Sequence, residues 1–68
     1  MNEETFNMSI RKFLKMVGVR SQTEIEHAVT KAIADGKLKG NEAFAARVQL
    51  TIGKINLDLT LDGEIRLE

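Results

Sequence analysis

Few side chains in this sequence could take part in catalysis. There is no Cys, and the single histidine, His27, has Glu24 and Glu26 close by in the sequence. A general base needs a substrate or nucleophile held within reach, and a metal site needs several converging ligands. The helical period places His27 opposite an apolar stripe, where neither is available. We therefore predict that the protein is not an enzyme and has no catalytic residue, metal site or cofactor.

Two glycines, Gly36 and Gly40, flank the run Lys37-Leu38-Lys39. Phosphate-binding loops also combine Gly with Lys, but this run matches neither the Walker A spacing nor the dinucleotide-binding motif. Gly commonly ends a helix, and cations near a helix C-terminus interact favourably with its dipole. The run is interpreted as a helix end followed by the crossing to a sheet.

A basic cluster is the most informative surface feature. Arg11, Lys12 and Lys15 are expected on the outer side of a first helix, with Met8 among them and Arg20 just beyond. An exposed Met surrounded by cations can pack adaptably against a protein partner. An ordinary solvated helix face explains the same pattern. The candidate interaction surface therefore consists of Met8, Arg11, Lys12, Lys15 and Arg20, and a solvated face is the alternative.

Length and composition describe a small folded domain. Of the 68 residues, 43% are hydrophobic and 29% are charged, so a disordered chain is not expected. A chain of this length buries only about 60% of its unfolded surface. Since it has no Pro and no Cys, apolar packing or self-association must stabilise it, and a homodimer is one alternative.

Charge and hydropathy argue against two classes of partner. Ten basic residues balance ten acidic ones, so no overall field attracts the chain to nucleic acid or to an anionic membrane. No run of 18 apolar residues occurs, and the acidic start Met1-Asn2-Glu3-Glu4 lacks the layout of a secretory signal. The sequence predicts a cytoplasmic protein that does not bind membranes.

The apolar period predicts two helices, at about residues 3–17 and 22–35. The stripe of the first consists of Phe6, Ile10, Phe13, Leu14 and Val17. Asn2 can cap its start, and Gly18 is expected to end it. Ser21 and Glu24 match a capping box, which predicts the start of the second helix, and Gly36 is expected to end that helix. The stripe of the second helix consists of Ile25, Ala28, Val29, Ala32 and Ile33.

The apolar period changes to two from Phe44 onward, which predicts antiparallel strands at about residues 44–52, 55–60 and 64–67. A two-residue loop, Gly53-Lys54, would pair Ile52 with Ile55. A three-residue loop, 61–63, would place a left-handed Gly63 in a bulge before the third strand. Both loops keep the apolar residues on one face of the sheet.

These elements predict a single α+β domain over residues 1–68, with a two-helix hairpin packed on one face of a three-stranded antiparallel β-meander (ααβββ). The predicted core consists of Phe6, Phe13, Ile25, Val29, Leu50, Leu57, Leu59 and Ile65. The free edge of the first strand, residues 44–52, is a second predicted interaction site, because unpaired backbone groups can bind another strand.

Two helices joined at Gly18 and followed by a hairpin also resemble a winged helix-turn-helix. That pattern has an apolar residue six positions after the turn glycine, where this sequence has Glu24, and its reading helix is normally basic. There is no Trp or Tyr for stacking on single strands. We therefore favour a non-catalytic protein–protein interaction module, a small adaptor or accessory protein with an unknown protein partner. A helix-turn-helix-like nucleic-acid-binding protein is the alternative.

Four stretches resemble a family of small bacterial proteins of about 70 residues whose function is uncharacterised. They are MNE at residues 1–3, FNMSIRKFLK at 6–15, VGV at 17–19 and GKLKG at 36–40. The resemblance implies a bacterial cytoplasmic protein, and it brings no catalytic or binding residues with it.

Overall fold

The computed structural model describes all residues, 1–68, and contains one helix and two strands. Helix α1 spans Glu3–Ala34, strand β1 spans Ala43–Ile52, a short 3-10 turn spans Gly53–Ile55, and strand β2 spans Leu57–Arg66. The α+β class is confirmed. The prediction of two helices and three strands is wrong. The chain divides into two compact units, the helix unit Met1–Lys37 and the hairpin unit Leu38–Glu68.

Helix α1 continues through the predicted break at Gly18. A glycine inside a helix costs only about 1 kcal/mol relative to Ala, so a long helix tolerates it. After Gly18, the Thr23 hydroxyl donates to the carbonyl oxygen of Val19 one turn earlier at 3.1 Å, a contact that requires helical geometry across residues 19–23. Ser21 lies inside the helix and does not begin a new one. The prediction of a helix end at Gly18 is wrong, and the turn that a helix-turn-helix requires is absent.

Both ends of α1 lie where the sequence predicts a helix start and a helix end. The backbone N–H of Thr5 donates to Asn2 Oδ1 at 3.0 Å, so Asn2 caps the first turn. At the other end Gly36 adopts φ 77°. The N–H of Gly36 donates to Ile33 and that of Lys37 to Ala32, the pair of bonds of a Schellman motif. The predicted helix stop at Gly36 is confirmed.

Strands β1 and β2 form a two-stranded antiparallel hairpin in which Ile52 pairs with Leu57 and Leu50 with Leu59. Four residues, 53–56, connect the strands. Asn56 closes the loop in the left-handed conformation, with φ 53°, and its N–H donates to the carbonyl oxygen of Gly53 at 3.2 Å. The predicted two-residue loop is wrong, because Asn tolerates this conformation and extends the turn. The resulting register is displaced by two residues, so the same face stays apolar.

The predicted third strand does not exist, because the chain does not turn at Asp62-Gly63. Both residues lie within β2, where Asp62 pairs with Arg47 and Gly63 pairs with Ala46. The cross-strand partners available to a ten-residue strand outweigh the local preference of Asp-Gly for a turn.

No side chain of the chain is buried, so the predicted core is wrong. Phe6, Phe13, Ile25, Leu57 and Leu59 are exposed, and Val29, Leu50 and Ile65 are half-buried. The apolar surface that the sequence predicts as a core is therefore present, but none of its side chains is buried.

Candidate functional site: two exposed apolar faces

A single apolar stripe follows the whole length of α1. Since each residue turns a helix by about 100°, eight small or apolar residues fall within an arc of about 100°, which also contains Glu3, Asn7 and Glu24. The eight are Phe6, Ile10, Leu14, Val17, Ser21, Ile25, Ala28 and Ala32. The large members Phe6, Ile10, Leu14 and Ile25 are between 40% and 50% exposed. We call this surface the helix stripe.

The spacing of the helix stripe keeps it almost parallel to the helix axis. Its steps are four, four and three residues, so that Phe6, Val17 and Ala28 are eleven residues apart. An eleven-residue repeat has about 3.67 residues per turn, close to the value of about 3.6 for a straight helix. A second helix can therefore contact the stripe along its full length.

The hairpin has one apolar face made of cross-strand pairs. These are Phe44 with Ile65, Ala46 with Gly63, Val48 with Leu61, Leu50 with Leu59, and Ile52 with Leu57. Leu61 is 55% exposed, and Val48 and Leu59 are also exposed. An isolated two-stranded hairpin is at best marginally stable in water. This hairpin face therefore needs another apolar surface to cover it.

The opposite face of the hairpin is polar. Arg47 Nε donates to Asp62 Oδ1 at 2.7 Å, and Gln49 Nε2 donates to Asp58 Oδ1 at 3.1 Å. Both side chains of the ion pair are mostly exposed, at 71% and 65%. Such pairs contribute about 1 kcal/mol or less, so this face fixes the strand register more than it stabilises the fold.

The segment before β1 is organised by a carboxylate. Glu42 accepts hydrogen bonds from the backbone N–H groups of Lys39 (2.8 Å), Gly40 (2.9 Å) and Asn41 (3.2 Å). The N–H groups of Lys39 and Gly40 are the main reason why the pKa of the Glu42 carboxyl lies below its ordinary value. Glu42 also accepts at its backbone oxygen from the N–H of Leu67 at 2.9 Å. It therefore ties this turn to the last residues of the hairpin.

The predicted basic cluster separates into two parts. Met8, Arg11, Lys12 and Lys15 line one shallow surface of α1 together with neighbouring polar residues. Arg20 is not part of that surface, since five residues beyond Lys15 it lies about 140° further around the helix. Met8 is 64% exposed. The predicted strand edge changes as well, because in a two-stranded sheet both β1 and β2 have a free edge.

The other polar side chains that could bind a metal ion do not form a cluster. His27 is exposed on α1, and no group of three or more His, Asp or Glu side chains is arranged to hold a metal ion. The one helix is nowhere apolar enough over a sufficient length to cross a bilayer.

Sequence reasoning missed the continuity of the helix stripe and the role of Glu42. The signal for the first was the unbroken spacing from Val17 through Ser21 to Ile25, which crosses the supposed break at Gly18. The signal for the second was a Glu placed directly after Gly-Asn, where a carboxylate can reach back to turn N–H groups.

Comparison with known proteins places the chain in a family without assigning it an activity. No curated protein and no solved structure matches it. One family model, described as a family of unknown function (DUF6494), matches residues 1–68. Because the match covers the whole sequence, as the resemblance in its helix and its Gly-flanked lysines suggests, the chain belongs to this uncharacterised family.

Proposed function

We propose that this chain is a non-catalytic protein–protein interaction module, a small adaptor or accessory protein that acts by presenting apolar faces to other polypeptides. A bacterial cytoplasmic location is part of the proposal and rests on the family resemblance. The observation that carries the proposal is the apolar face of the hairpin, five consecutive cross-strand pairs in which no side chain is buried.

The number of exposed apolar side chains supports this function. Sixteen large hydrophobic residues are exposed. Monomeric soluble proteins rarely expose apolar patches larger than a few hundred Å², and larger ones mark interaction sites.

The arrangement of the hairpin also supports it. All large apolar side chains of β1 and β2 lie on one face, while the other face has a short ion pair and an amide–carboxylate hydrogen bond. A partner is therefore expected to dock on the apolar face, which includes the pair Leu50 and Leu59. The polar face stays in water.

The test is a pull-down from an extract of the source organism with the full chain as bait, with and without nuclease. Proteins retained by the wild type are identified by mass spectrometry, purified, and tested for direct binding to the bait. Leu59→Lys is expected to weaken this binding at least tenfold, since it places a charge on the docking face.

Thr60→Lys is the matched control. Thr60 pairs with Gln49 on the polar face, so the same new charge there is expected to leave binding unchanged. Equal binding by both variants would contradict docking on the apolar face. Retention that disappears with nuclease would contradict the interaction-module proposal in favour of nucleic acid, and turnover of a metabolite by the purified chain would contradict its non-catalytic character.

A further inference from the structure

We propose that the outer edge of β1 binds an extended segment of another polypeptide, which adds a third strand to the hairpin. The segment has alternating apolar and polar residues, and its apolar side continues the apolar face of the hairpin. This inference deepens the proposed function by naming how the partner is held, and it rests on that function.

The hydrogen bonds of the hairpin show which backbone groups of β1 point outward. The N–H of Leu67 donates to the carbonyl oxygen of Glu42, so these two residues form a hydrogen-bonded pair in line with the strand register. In an antiparallel ladder such pairs occur at every second position. The residues of β1 that bond to β2 are therefore Phe44, Ala46, Val48, Leu50 and Ile52.

The backbone groups of the intervening residues of β1 point away from β2. These residues are Ala43, Ala45, Arg47, Gln49 and Thr51. No other part of the chain pairs with their N–H and carbonyl groups. Unpaired backbone groups in this alternating pattern are the ones to which an extended peptide binds when it adds a strand to a sheet.

The long polar side chains of β1 leave its outer edge open. Arg47 Nε donates to Asp62 at 2.7 Å and Gln49 Nε2 donates to Asp58 at 3.1 Å, so both side chains extend across the hairpin toward β2. The other side chains on this face of β1 are short, namely Ala43, Ala45 and Thr51. A new strand can therefore approach the backbone of β1 without displacing a charged side chain.

The outer edge of β2 is less suited to pairing. On its polar face every residue except Thr60 is charged, namely Asp58, Asp62, Glu64 and Arg66. Charged side chains on an edge strand hinder its pairing with another chain. The only charge on β1 is Arg47, and β1 contains neither Pro nor Gly, which interrupt strands. The asymmetry assigns the added strand to β1.

The alternation of β1 determines the chemistry of the incoming segment. Neighbouring residues in a sheet share a face, so the apolar residues of the segment lie beside Ala46, Val48 and Leu50. A third strand also provides what the hairpin lacks, because two strands alone are at best marginally stable in water.

The probe for this edge is a synthetic peptide with the sequence of β2, residues 57–66, and blocked termini. That sequence already pairs with β1 inside the chain, so its alternation matches the strand. Amide hydrogen exchange of the isotope-labelled full chain is measured by NMR with and without peptide. At saturating peptide, exchange at Ala45, Arg47, Gln49 and Thr51 is expected to slow about tenfold or more. The outward N–H groups of β2 are expected to exchange as before.

Proline substitutions separate the two edges. Ala45→Pro removes an outward N–H of β1 without removing a bond to β2, and it is expected to raise the Kd of the peptide about tenfold. Thr60→Pro is the matched control, because Thr60 pairs with Gln49 and its N–H points outward from β2. It is expected to leave the Kd unchanged. The exchange measurement on the wild type decides the proposal even if a proline variant does not fold.

Three results would overturn the proposal. The first is peptide that produces no saturable slowing of exchange at β1, and the second is slowing at the outer edge of β2 instead. The third is exchange at the outer edge of β1 that slows with the concentration of the chain alone, because it identifies a second copy as the occupant.

Leu59 keeps this inference distinguishable from the proposed function. Leu59 lies on β2, one strand away from the incoming segment, so Leu59→Lys is expected to change peptide binding little. A partner that depends on Leu59 but leaves the β1 edge exchanging fast contradicts only the added strand. A β1 edge that binds the peptide while no partner depends on Leu59 contradicts docking on the apolar face.

Discussion

Arg47 and Asp62 face each other directly across the hairpin, and their side chains meet at 2.7 Å. This pairing places Asp62-Gly63 in the middle of β2, although the dipeptide is a strong turn signal in isolation. It also identifies the polar face of the hairpin, because every second residue of each strand shares that face.

The ion pair itself is expected to stabilise the hairpin only weakly. Both side chains are mostly exposed, so Asp62→Ala should lower the free energy of unfolding by about 0.5 kcal/mol. Urea unfolding at fixed protein concentration measures this change. A loss several times larger would mean that Asp62 holds a turn, contrary to the observed register.

Gly18 and Gly36 form a matched pair for testing the continuous helix. Gly18→Ala should stabilise the protein by about 0.5–1 kcal/mol, since the residue lies inside α1 and an added Cβ meets no other atom. Gly36→Ala should destabilise it by about 1 kcal/mol, because φ there is 77°. Thermal unfolding followed by circular dichroism gives both values. Destabilisation by Gly18→Ala would indicate a helix end at that residue.

Asn56 determines the length of the hairpin loop. Its left-handed backbone is costly for most residues, so Asn56→Ala should lower stability by about 1 kcal/mol. Asn56→Gly should be nearly neutral, because Gly adopts this conformation freely. Amide hydrogen exchange in β1 and β2 reports the difference. Equal protection in the two variants would argue against the four-residue loop.

Glu42 should make the turn before β1 sensitive to acid. Its pKa is lowered in the folded chain, mainly by the N–H groups of Lys39 and Gly40. Its contribution is therefore fully present above the ordinary pKa of Glu, and it is lost as the pH falls through the lower folded value. Glu42→Gln should be less stable than the wild type at neutral pH, and the difference should shrink in acid. Unfolding titrations of the two proteins between neutral and acidic pH measure this effect. A difference that does not change with pH would contradict the role of the carboxylate.

The ends of α1 and the face of β1 could be predicted from sequence because local chemistry decides them. Asn2 accepts the N–H of Thr5, Gly36 takes the left-handed position of a helix cap, and residues from Phe44 alternate as a half-buried strand requires. Each signal depends on residues within one turn or one strand. None of these signals depends on long-range packing, so each could be interpreted from the sequence.

The interior of α1 and the hairpin loop could not be predicted in this way. Gly18 followed by Ser21 and Glu24 satisfies the local rules for a helix end and a new start, yet the uninterrupted helix costs little and keeps the stripe continuous. At the loop, displacing the register by two residues leaves the same face apolar, so the pattern alone does not distinguish Gly53-Lys54 from a longer connection.

The candidate surfaces, too, could be predicted only in part from the sequence. One surface contains Met8, Arg11, Lys12 and Lys15, because they lie within two turns of a helix. Arg20 was expected just beyond the end of a first helix, but it lies inside α1 and on another side of it. Their role as an interaction surface stays a prediction. The two apolar faces were assigned to a core, because sequence patterns mark a surface as apolar without indicating which molecule covers it.

No side chain of this protein is buried, so the chain by itself has no buried hydrophobic core. Its ordered state is expected to gain stability from whatever binds it, in proportion to the logarithm of the free concentration of that binder. The melting temperature of the protein should then rise with the concentration of any polypeptide that covers these apolar faces. The amount of folded protein would depend on the supply of that binder.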